Sequence, residues 1–256
     1  EFGRTNMMEC CDIGELFNDS NASVPIISCA GIDMKIHLFI IDENRESFKK
    51  VCALQGPSDW LRDMKILRCD DGSLLLATAC QDAHVRVWKI KDQNETQETK
   101  EELDLSSIDL STIASDQSFS LSRSSHMIKF GEKKWSVMLE TILSMHEDWV
   151  HSLDWAPATT REIKNEETGE VRIESYQPVR LLTASMDRTM IIWQPDTSSN
   201  HGKGIWNSVA RMGSFGGKVG LTGQMGYLAA RFIGSGEAII AHGYHGSFHF
   251  WKKQKN

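Results

Sequence analysis

Residues 181–196 read LLTASMDRTMIIWQPD, and their pattern predicts the fold. Two apolar runs flank Asp187, a residue type that tolerates tight turns and accepts hydrogen bonds from nearby backbone N–H groups. Trp193 ends the second run, six residues after the Asp. Both runs are rich in residues that favour β-strands. The stretch therefore predicts a strand, a tight turn, and a second strand that is closed by an aromatic residue.

The same pattern occurs four times along the chain. The closing aromatics, which are separated by 49, 105 and 58 residues, are Phe39, Trp88, Trp193 and Trp251. The turn residues, each six positions earlier, are Asp33, Asp82, Asp187 and His245. The flanking runs are almost continuously apolar, as expected when both faces of a sheet are covered. A small sheet with two apolar faces has to stack between copies of itself, so the repeat predicts an all-β propeller.

The repeats are longer than the ~40–45 residues of a propeller blade, which predicts insertions. Residues 91–125 hold eight acidic and three basic residues and many serines, so we expect a flexible insertion there, with a strand resuming near Trp135. This insertion is either a solvated loop or a phosphorylated docking segment. Residues 157–178 predict a charged surface loop within the third blade. The four blades are expected at roughly residues 1–55, 56–143, 144–212 and 213–256.

Composition narrows the function. The 35 acidic residues exceed the 28 Lys and Arg residues, and a net charge of −7 argues against nucleic-acid binding across the whole surface. A local basic patch with Lys129, Lys133 and Lys134 stays open as an alternative. None of the six cysteines forms a CxxC pair, which is typical of reduced thiols in an intracellular protein. No apolar run reaches the ~18 residues of a membrane helix.

Three patterns could suggest a chemical site, but none meets the requirements. Gly217-Lys218 lacks the earlier Gly and the following Ser or Thr of a phosphate-binding loop. A zinc site needs three or four converging ligands, so we interpret His242, His245 and His249 as surface or turn histidines. No GxSxG motif occurs. We therefore expect no metal, no cofactor and no enzymatic activity.

The third repeat is the most complete of the four. Residues 144–157 read SMHEDWVHSLDWAP, which places a His before an apolar strand, and the quoted stretch that follows supplies Ser-x-Asp and a Trp. This combination resembles the WD-repeat family. The resemblance implies a structural network in which Asp and Ser hold the His ring and the Trp indole donates to Ser or Thr. In this sequence the network would comprise His146, Ser185, Asp187 and Trp193.

The other three repeats depart from that network. In the second repeat Pro57 stands where His146 stands in the third, and Cys80 replaces the Ser. In the fourth, His245 replaces the Asp. We therefore expect these three blades to rely on apolar packing.

Longer phrases narrow the resemblance. HEDWVHSLDWAP (146–157), QPVRLLTASMDRTMIIWQPD (177–196) and IIAHGYHGSFHFWKK (239–253) resemble the WD-repeat subunits of the Elongator complex. The resemblance implies about four blades of an incomplete seven-bladed ring, corresponding to the later blades of the first of two tandem propellers. It also implies a non-catalytic scaffold in the cytoplasm and nucleus. Such a scaffold would support tRNA wobble-uridine modification by contacting the other Elongator subunits, including the catalytic one.

Two alternatives remain beside this interpretation. The chain could be another WD-repeat adaptor in signalling or transcription, or it could bind nucleic acid, which the acidic balance limits to indirect or weak contact. The candidates for partner contact are Asp59, Trp60, Asp148 and Trp149, in the loops that enter the first strand of two blades. Trp is enriched among interface anchors, but a Trp beside a strand is also a common packing residue. Both interpretations stay open.

Overall fold

The computed structural model describes residues 7–17, 22–42, 44–93, 126–164, 171–196, 204–213 and 226–252. Within these ranges the chain forms eighteen β-strands and no helix. The strands build four successive antiparallel sheets, which we call blades 1 to 4, and one separate hairpin. The all-β fold and the propeller arrangement that the repeat predicts are thus confirmed. No helix in the described part of the chain could cross a membrane.

Blade 1 has four strands, each hydrogen-bonded to the next. They are β1 (Met8–Phe17), β2 (Ser23–Gly31), β3 (Ile36–Ile41) and β4 (Phe48–Leu54). Asp33 lies in the turn between β2 and β3, and Phe39 lies in β3. The predicted strand, turn and strand are therefore the second and third strands of the blade.

Blade 2 has five strands rather than four. They are β5 (Leu61–Arg68), β6 (Leu74–Cys80), β7 (Val85–Asp92), β8 (His126–Phe130) and β9 (Lys133–Leu143). The strand order is β5-β6-β7-β9-β8, so the unpredicted β8 forms the outer edge, where it packs against β4 of blade 1. Trp135 lies in β9, near where a strand was expected to resume.

The predicted start of the acidic insertion at residue 91 is wrong. Strand β7 continues through Lys91 and Asp92, whose partners across the ladder are Ser136 and Trp135. Backbone pairing with β9 holds these two residues in the sheet although their side chains are charged. The rest of the predicted insertion, residues 94–125, lies outside the described residues.

Blade 3 consists of β10 (Val150–Trp155), β13 (Leu181–Ser185), β14 (Thr189–Pro195) and β15 (Trp206–Gly213). Between its first two strands, β11 (Thr159–Lys164) and β12 (Val171–Tyr176) form the separate hairpin. The predicted insertion at 157–178 therefore lies where it was expected, but its description as a loop is wrong, because it forms a hairpin. The segment contains several β-branched residues, which favour strands, and these outweigh its charge.

Blade 4 comprises β16 (Tyr227–Ile233), β17 (Ala238–Gly243) and β18 (Phe248–Lys252), in that order. His245 lies in the turn between β17 and β18, and Trp251 lies in β18. All four closing aromatics thus occupy the third strand of their blades.

The core lies between the blades. Each interface is a cluster of buried apolar side chains from two neighbouring sheets, such as Ile36 with Leu76, Val87 with Ile191, and Met190 with Ala241. Burying one Leu or Ile side chain stabilises the fold by roughly 1.5–3 kcal/mol. The near-continuous apolar runs in the sequence follow from this stacking, because both faces of an inner blade are covered.

Carboxylates on the first strands also join the blades. Each accepts a backbone N–H from the first strand of the next blade, a contact that fixes the relative height of the two sheets. The three bonds run from Ile66 N–H to Asp12 (2.6 Å), from Leu153 N–H to Asp63 (2.8 Å) and from Phe232 N–H to Asp154 (2.7 Å). Because of this alignment, the turns between the second and third strands of all four blades lie at one end of the sheets.

Candidate protein-docking face

The hydrogen-bond network of blade 3 holds one loop of this end in place. The His146 side chain is only 1% exposed, and its Nδ1 lies 2.8 Å from Asp187 Oδ2. On the other side of the ring, Nε2 lies 2.7 Å from Thr183 Oγ1. The Trp193 indole donates to the same hydroxyl oxygen at 3.0 Å. The network therefore joins the loop before β10 to the second and third strands of the blade.

The predicted place of Ser185 in this network is wrong, because Thr183 occupies it. Ser185 lies two residues further along β13, roughly 7 Å away at the rise of a strand, and so does not meet the Trp193 indole. Its hydroxyl instead donates to the Asp148 carbonyl at 2.9 Å, while its oxygen accepts the Asp187 N–H. Ser185 thus fixes the loop before β10 directly.

Asp187 is ionised at neutral pH. Burial alone would raise the pKa of its carboxyl, but hydrogen bonds from His146, Thr189 and the Glu147 N–H outweigh burial and lower it to about 2. Thr189 donates to Asp187 Oδ1 through both its hydroxyl (2.7 Å) and its backbone N–H (2.8 Å). The buried His–Asp pair has structural partners on both residues and is closed to a substrate.

In blade 2 the buried turn Asp is also paired, but its partner is an Arg from the third strand rather than a His from the preceding loop. Arg86 Nη1 forms an ion pair with Asp82 Oδ2 at 2.8 Å, and both side chains are less than a tenth exposed. Ser58 donates to the same oxygen through its N–H and its hydroxyl. Thr78 and Trp88 stand where blade 3 has Thr183 and Trp193. The expectation that this blade relies on apolar packing alone is therefore wrong.

In blade 1, as in blade 2, the turn Asp is paired with a side chain from the third strand. His37 Nε2 lies 2.6 Å from Asp33 Oδ2, and both residues belong to the turn and third strand of the same blade. His37 and Arg86 each follow the turn Asp by four residues, at the position of Ile191 in blade 3. A side chain from the third strand thus replaces the loop His in both blades.

Blade 4 places a histidine at that position too. His249 lies 2.9 Å from Ser247 Oγ and stacks on Trp251 at 5.6 Å between ring centroids. His242 belongs to the opposite face of the sheet, because it pairs with Phe248 while His249 pairs with Ala241. Among the described residues no group of three or more His, Cys, Asp or Glu side chains could hold a metal ion.

These networks fix two equivalent loops, one in blade 2 and one in blade 3. In both, an Asp carboxylate accepts the N–H of the Trp that follows it at 2.7 Å, in Asp59-Trp60 and in Asp148-Trp149. The Cys80 thiol donates to the Asp59 carbonyl at 3.2 Å, as the Ser185 hydroxyl does to Asp148. The sequence-predicted contact residues thus lie on well-held backbone.

The two indoles are exposed, not packing residues of the core. Trp60 and Trp149 each keep 43% of their surface accessible, at the end of neighbouring blades. The Arg62 guanidinium lies between them, 5.6 Å from the Trp60 ring centre and 6.0 Å from that of Trp149. Arg62 Nη1 also donates to Glu9 Oε2 of blade 1 at 3.3 Å. One side chain therefore connects three blades beneath the exposed rings.

Other large apolar side chains are exposed at the same end. Met7 precedes the first strand of blade 1, as Trp60 and Trp149 precede theirs, and further exposed residues lie in the turns and in the loop before β10. In blade 4 the equivalent residue is Gly226, where a Cβ would lie 2.2 Å from the Met186 Cα. We define the DW face as Met7, Met34, Asp59, Trp60, Met145, Asp148, Trp149 and Tyr244.

Aromatic residues and Met are the types enriched at protein–protein interfaces. Six of the eight residues of the DW face are Trp, Tyr or Met, and both Trp residues sit on loops whose backbone is held by hydrogen bonds. The opposite end of the blades carries exposed carboxylates, such as Asp70, Glu132 and Glu237, together with exposed apolar side chains, such as Phe48 and Ile233. The DW face differs from it in presenting two exposed indoles on hydrogen-bonded loops, which suit a protein contact.

Sequence comparison agrees with this geometry. The family described as WD domain, G-beta repeat matches residues 48–89 and 138–194, which contain the networks of blades 2 and 3. These two ranges of the chain are similar to WD repeats. The matched WD repeats are those that carry the two Asp–Trp loops or the strands that hold them.

Three curated relatives of this chain carry the same name. The chain is 32% identical over 268 residues to Elongator complex protein 2 of Dictyostelium discoideum, and the match covers 97% of this chain and 28% of the relative. It is 34% identical over 233 residues to the Homo sapiens protein of that name, covering 91% and 24%, and 27% identical over 255 residues to that of Arabidopsis thaliana, covering 95% and 27%. The chain thus spans about a quarter of the length of these relatives.

Proposed function

We propose that this chain is part of a non-catalytic scaffold subunit of the Elongator complex and that another subunit docks on the DW face. The observation that carries the proposal is the pair of exposed indoles, Trp60 and Trp149, held at equivalent positions of neighbouring blades. The similarity to proteins named Elongator complex protein 2 supports the choice of Elongator as the assembly.

A scaffold role suits the chemistry of the described residues. The most catalytic-looking pair, His146 and Asp187, is buried and hydrogen-bonded to structural partners on both sides. In the proposed role the chain supports tRNA wobble-uridine modification by organising the other subunits, including the catalytic one, in the cytoplasm and nucleus. Any contact with nucleic acid is then indirect or weak, in keeping with the net charge of −7.

The proposal is tested by tagging the protein at its own gene and identifying what co-purifies. Truncating two interface anchors costs about 2 kcal/mol or more each, so Trp60→Ala with Trp149→Ala should strongly reduce recovery of Elongator subunits. The matched control is Val171→Ala with Ile173→Ala on the hairpin, since those side chains are also exposed and apolar. Recovery of the catalytic subunit at wild-type levels from the double Trp variant would overturn the docking role.

A second outcome would favour the alternative. If the wild-type protein recovers no Elongator subunit but recovers other proteins through the same two indoles, the chain is a different WD-repeat adaptor. The exposed DW face supports either assembly, so the identity of the captured partners decides between them.

A further inference from the structure

The charges beside the two exposed indoles indicate what kind of segment the DW face accepts. We infer that it binds a protein segment bearing Lys or Arg side chains, each over one indole and against the adjoining Asp carboxylate. This inference rests on the docking role proposed above and adds the chemistry of the partner.

The first support is the repeated geometry of the Asp–Trp loops. In each, one carboxylate oxygen accepts the Trp N–H at 2.7 Å, which holds the negative charge beside the ring. Neither Asp59 nor Asp148 forms an ion pair with another described residue. Glu147, two residues before Trp149, adds an exposed carboxylate to the half-buried Asp59 and the exposed Asp148.

The second support is that Arg62, the cation that contacts both indoles, is already engaged. Arg62 contacts Glu9 at 3.3 Å, and the Gln81 amide oxygen, oriented to accept, lies 2.8 Å from Arg62 Nε. Arg86 is paired with Asp82. Burial and the charge of Arg62 lower the pKa of His151, so this ring beside Trp149 is neutral at neutral pH. None of these three groups therefore forms an ion pair with Asp59 or Asp148.

The third support is the chemistry of the rings themselves. The face of an indole attracts an ammonium or guanidinium group by roughly 0.5–2 kcal/mol, depending on how far the cation is desolvated. Arg62 already contacts both rings from within the chain, and each Trp residue still has 43% of its surface exposed, which leaves room for a second cation. An acidic segment or a nucleic-acid phosphate would instead be repelled by Asp59, Glu147 and Asp148.

The experiment uses the protein with two short synthetic peptides of equal length and apolar content, one bearing Lys and Arg and the other Glu at the same positions. Fluorescence anisotropy at two salt concentrations should show binding of the basic peptide, weaker at high salt, and none of the acidic one. Asp59→Asn with Asp148→Asn removes charge but keeps the acceptor for each Trp N–H. This variant should bind the basic peptide about tenfold more weakly than the wild type.

The control is Glu132→Gln with Glu237→Gln, which removes two exposed carboxylates from the opposite end and should change affinity by less than about twofold. Equal binding of both peptides, or an unchanged affinity in the Asp variant, would overturn the inference. Co-purification separates the two proposals. If the double Trp variant loses Elongator subunits while the double Asp variant keeps them, the docking role stands and the cationic partner does not.

Discussion

Blades 2 and 3 solve the same problem with different residues. Each must hold a buried turn Asp and the loop that precedes its first strand. Blade 3 uses His146 from that loop, and blade 2, with Pro57 in the loop, uses Arg86 from the third strand. The difference shows that what the fold requires is a hydrogen-bonding or cationic partner for the Asp, while the element that supplies it can change.

The largest effect is expected from breaking the blade 3 network at its centre. His146→Ala removes a buried ring that contacts both Asp187 Oδ2 and the Thr183 hydroxyl and leaves a cavity in its place, which should lower the free energy of unfolding by about 3 kcal/mol. Urea unfolding followed by Trp fluorescence measures this change. A loss below about 1 kcal/mol would mean that the network does not stabilise the blade.

The equivalent change in blade 2 should cost less. Arg86→Met keeps the aliphatic stem but removes the charge, while Asp82 still accepts from the Ser58 N–H, the Ser58 hydroxyl and the His84 N–H. We expect a loss of about 2 kcal/mol, measured in the same urea titration. A loss larger than that of His146→Ala would reverse the ranking of the two blades.

The blade 3 network also predicts a pH dependence. Because the folded-state pKa of Asp187 is depressed from 3.8 to about 2, its stabilisation is present above the unfolded pKa and is lost as pH falls through the folded pKa. The contribution is roughly 2 kcal/mol. Asp187→Asn should therefore flatten the stability profile between about pH 4 and pH 2. Parallel profiles for the variant and the wild type would contradict this assignment.

The smallest expected effect is an increase in stability, and it concerns the turn between the second and third strands of both blades. The residue after each turn Asp has a left-handed backbone, with φ of 64° at Ala83 in blade 2 and 68° at Arg188 in blade 3. Ala83→Gly should relieve this strain and stabilise the protein by about 0.5–1 kcal/mol. Ala53→Gly, the same change within strand β4, serves as the control and should destabilise by a similar amount. A shift of the melting temperature in the same direction for both variants would contradict the claim that Ala83 is strained.

Much of this comparison could be predicted from the sequence. Periodic features gave the reliable signals, namely the closing aromatics at Phe39, Trp88, Trp193 and Trp251 and the Asp turns six residues before them. Thr183 and Arg86 were missed because both sit within apolar strands, where a polar residue gives no hint of its partner. Only the strand register shows that Arg86 and His37 occupy the place of Ile191.

The contacts between blades could not be predicted from the sequence, because they join residues that are far apart along the chain. Asp12, Asp63 and Asp154 lie on the first strands, and each accepts an N–H of a residue 54 to 90 positions away. Arg62 was missed likewise, since its role depends on bringing Trp60 and Trp149 from two blades together. The hairpin could not be predicted because its many charged residues are typical of a loop, although its β-branched residues favour strands.

The central claim is that the blade networks present Trp60 and Trp149 as anchors for another protein. The most direct measurement is the dissociation constant of the purified protein for the remaining Elongator subunits, with Trp60→Ala and Trp149→Ala combined and with the Val171→Ala and Ile173→Ala control. We predict a weakening of about 30-fold or more for the Trp pair and less than about twofold for the control. Equal affinities for the wild type and the Trp variant would contradict the account.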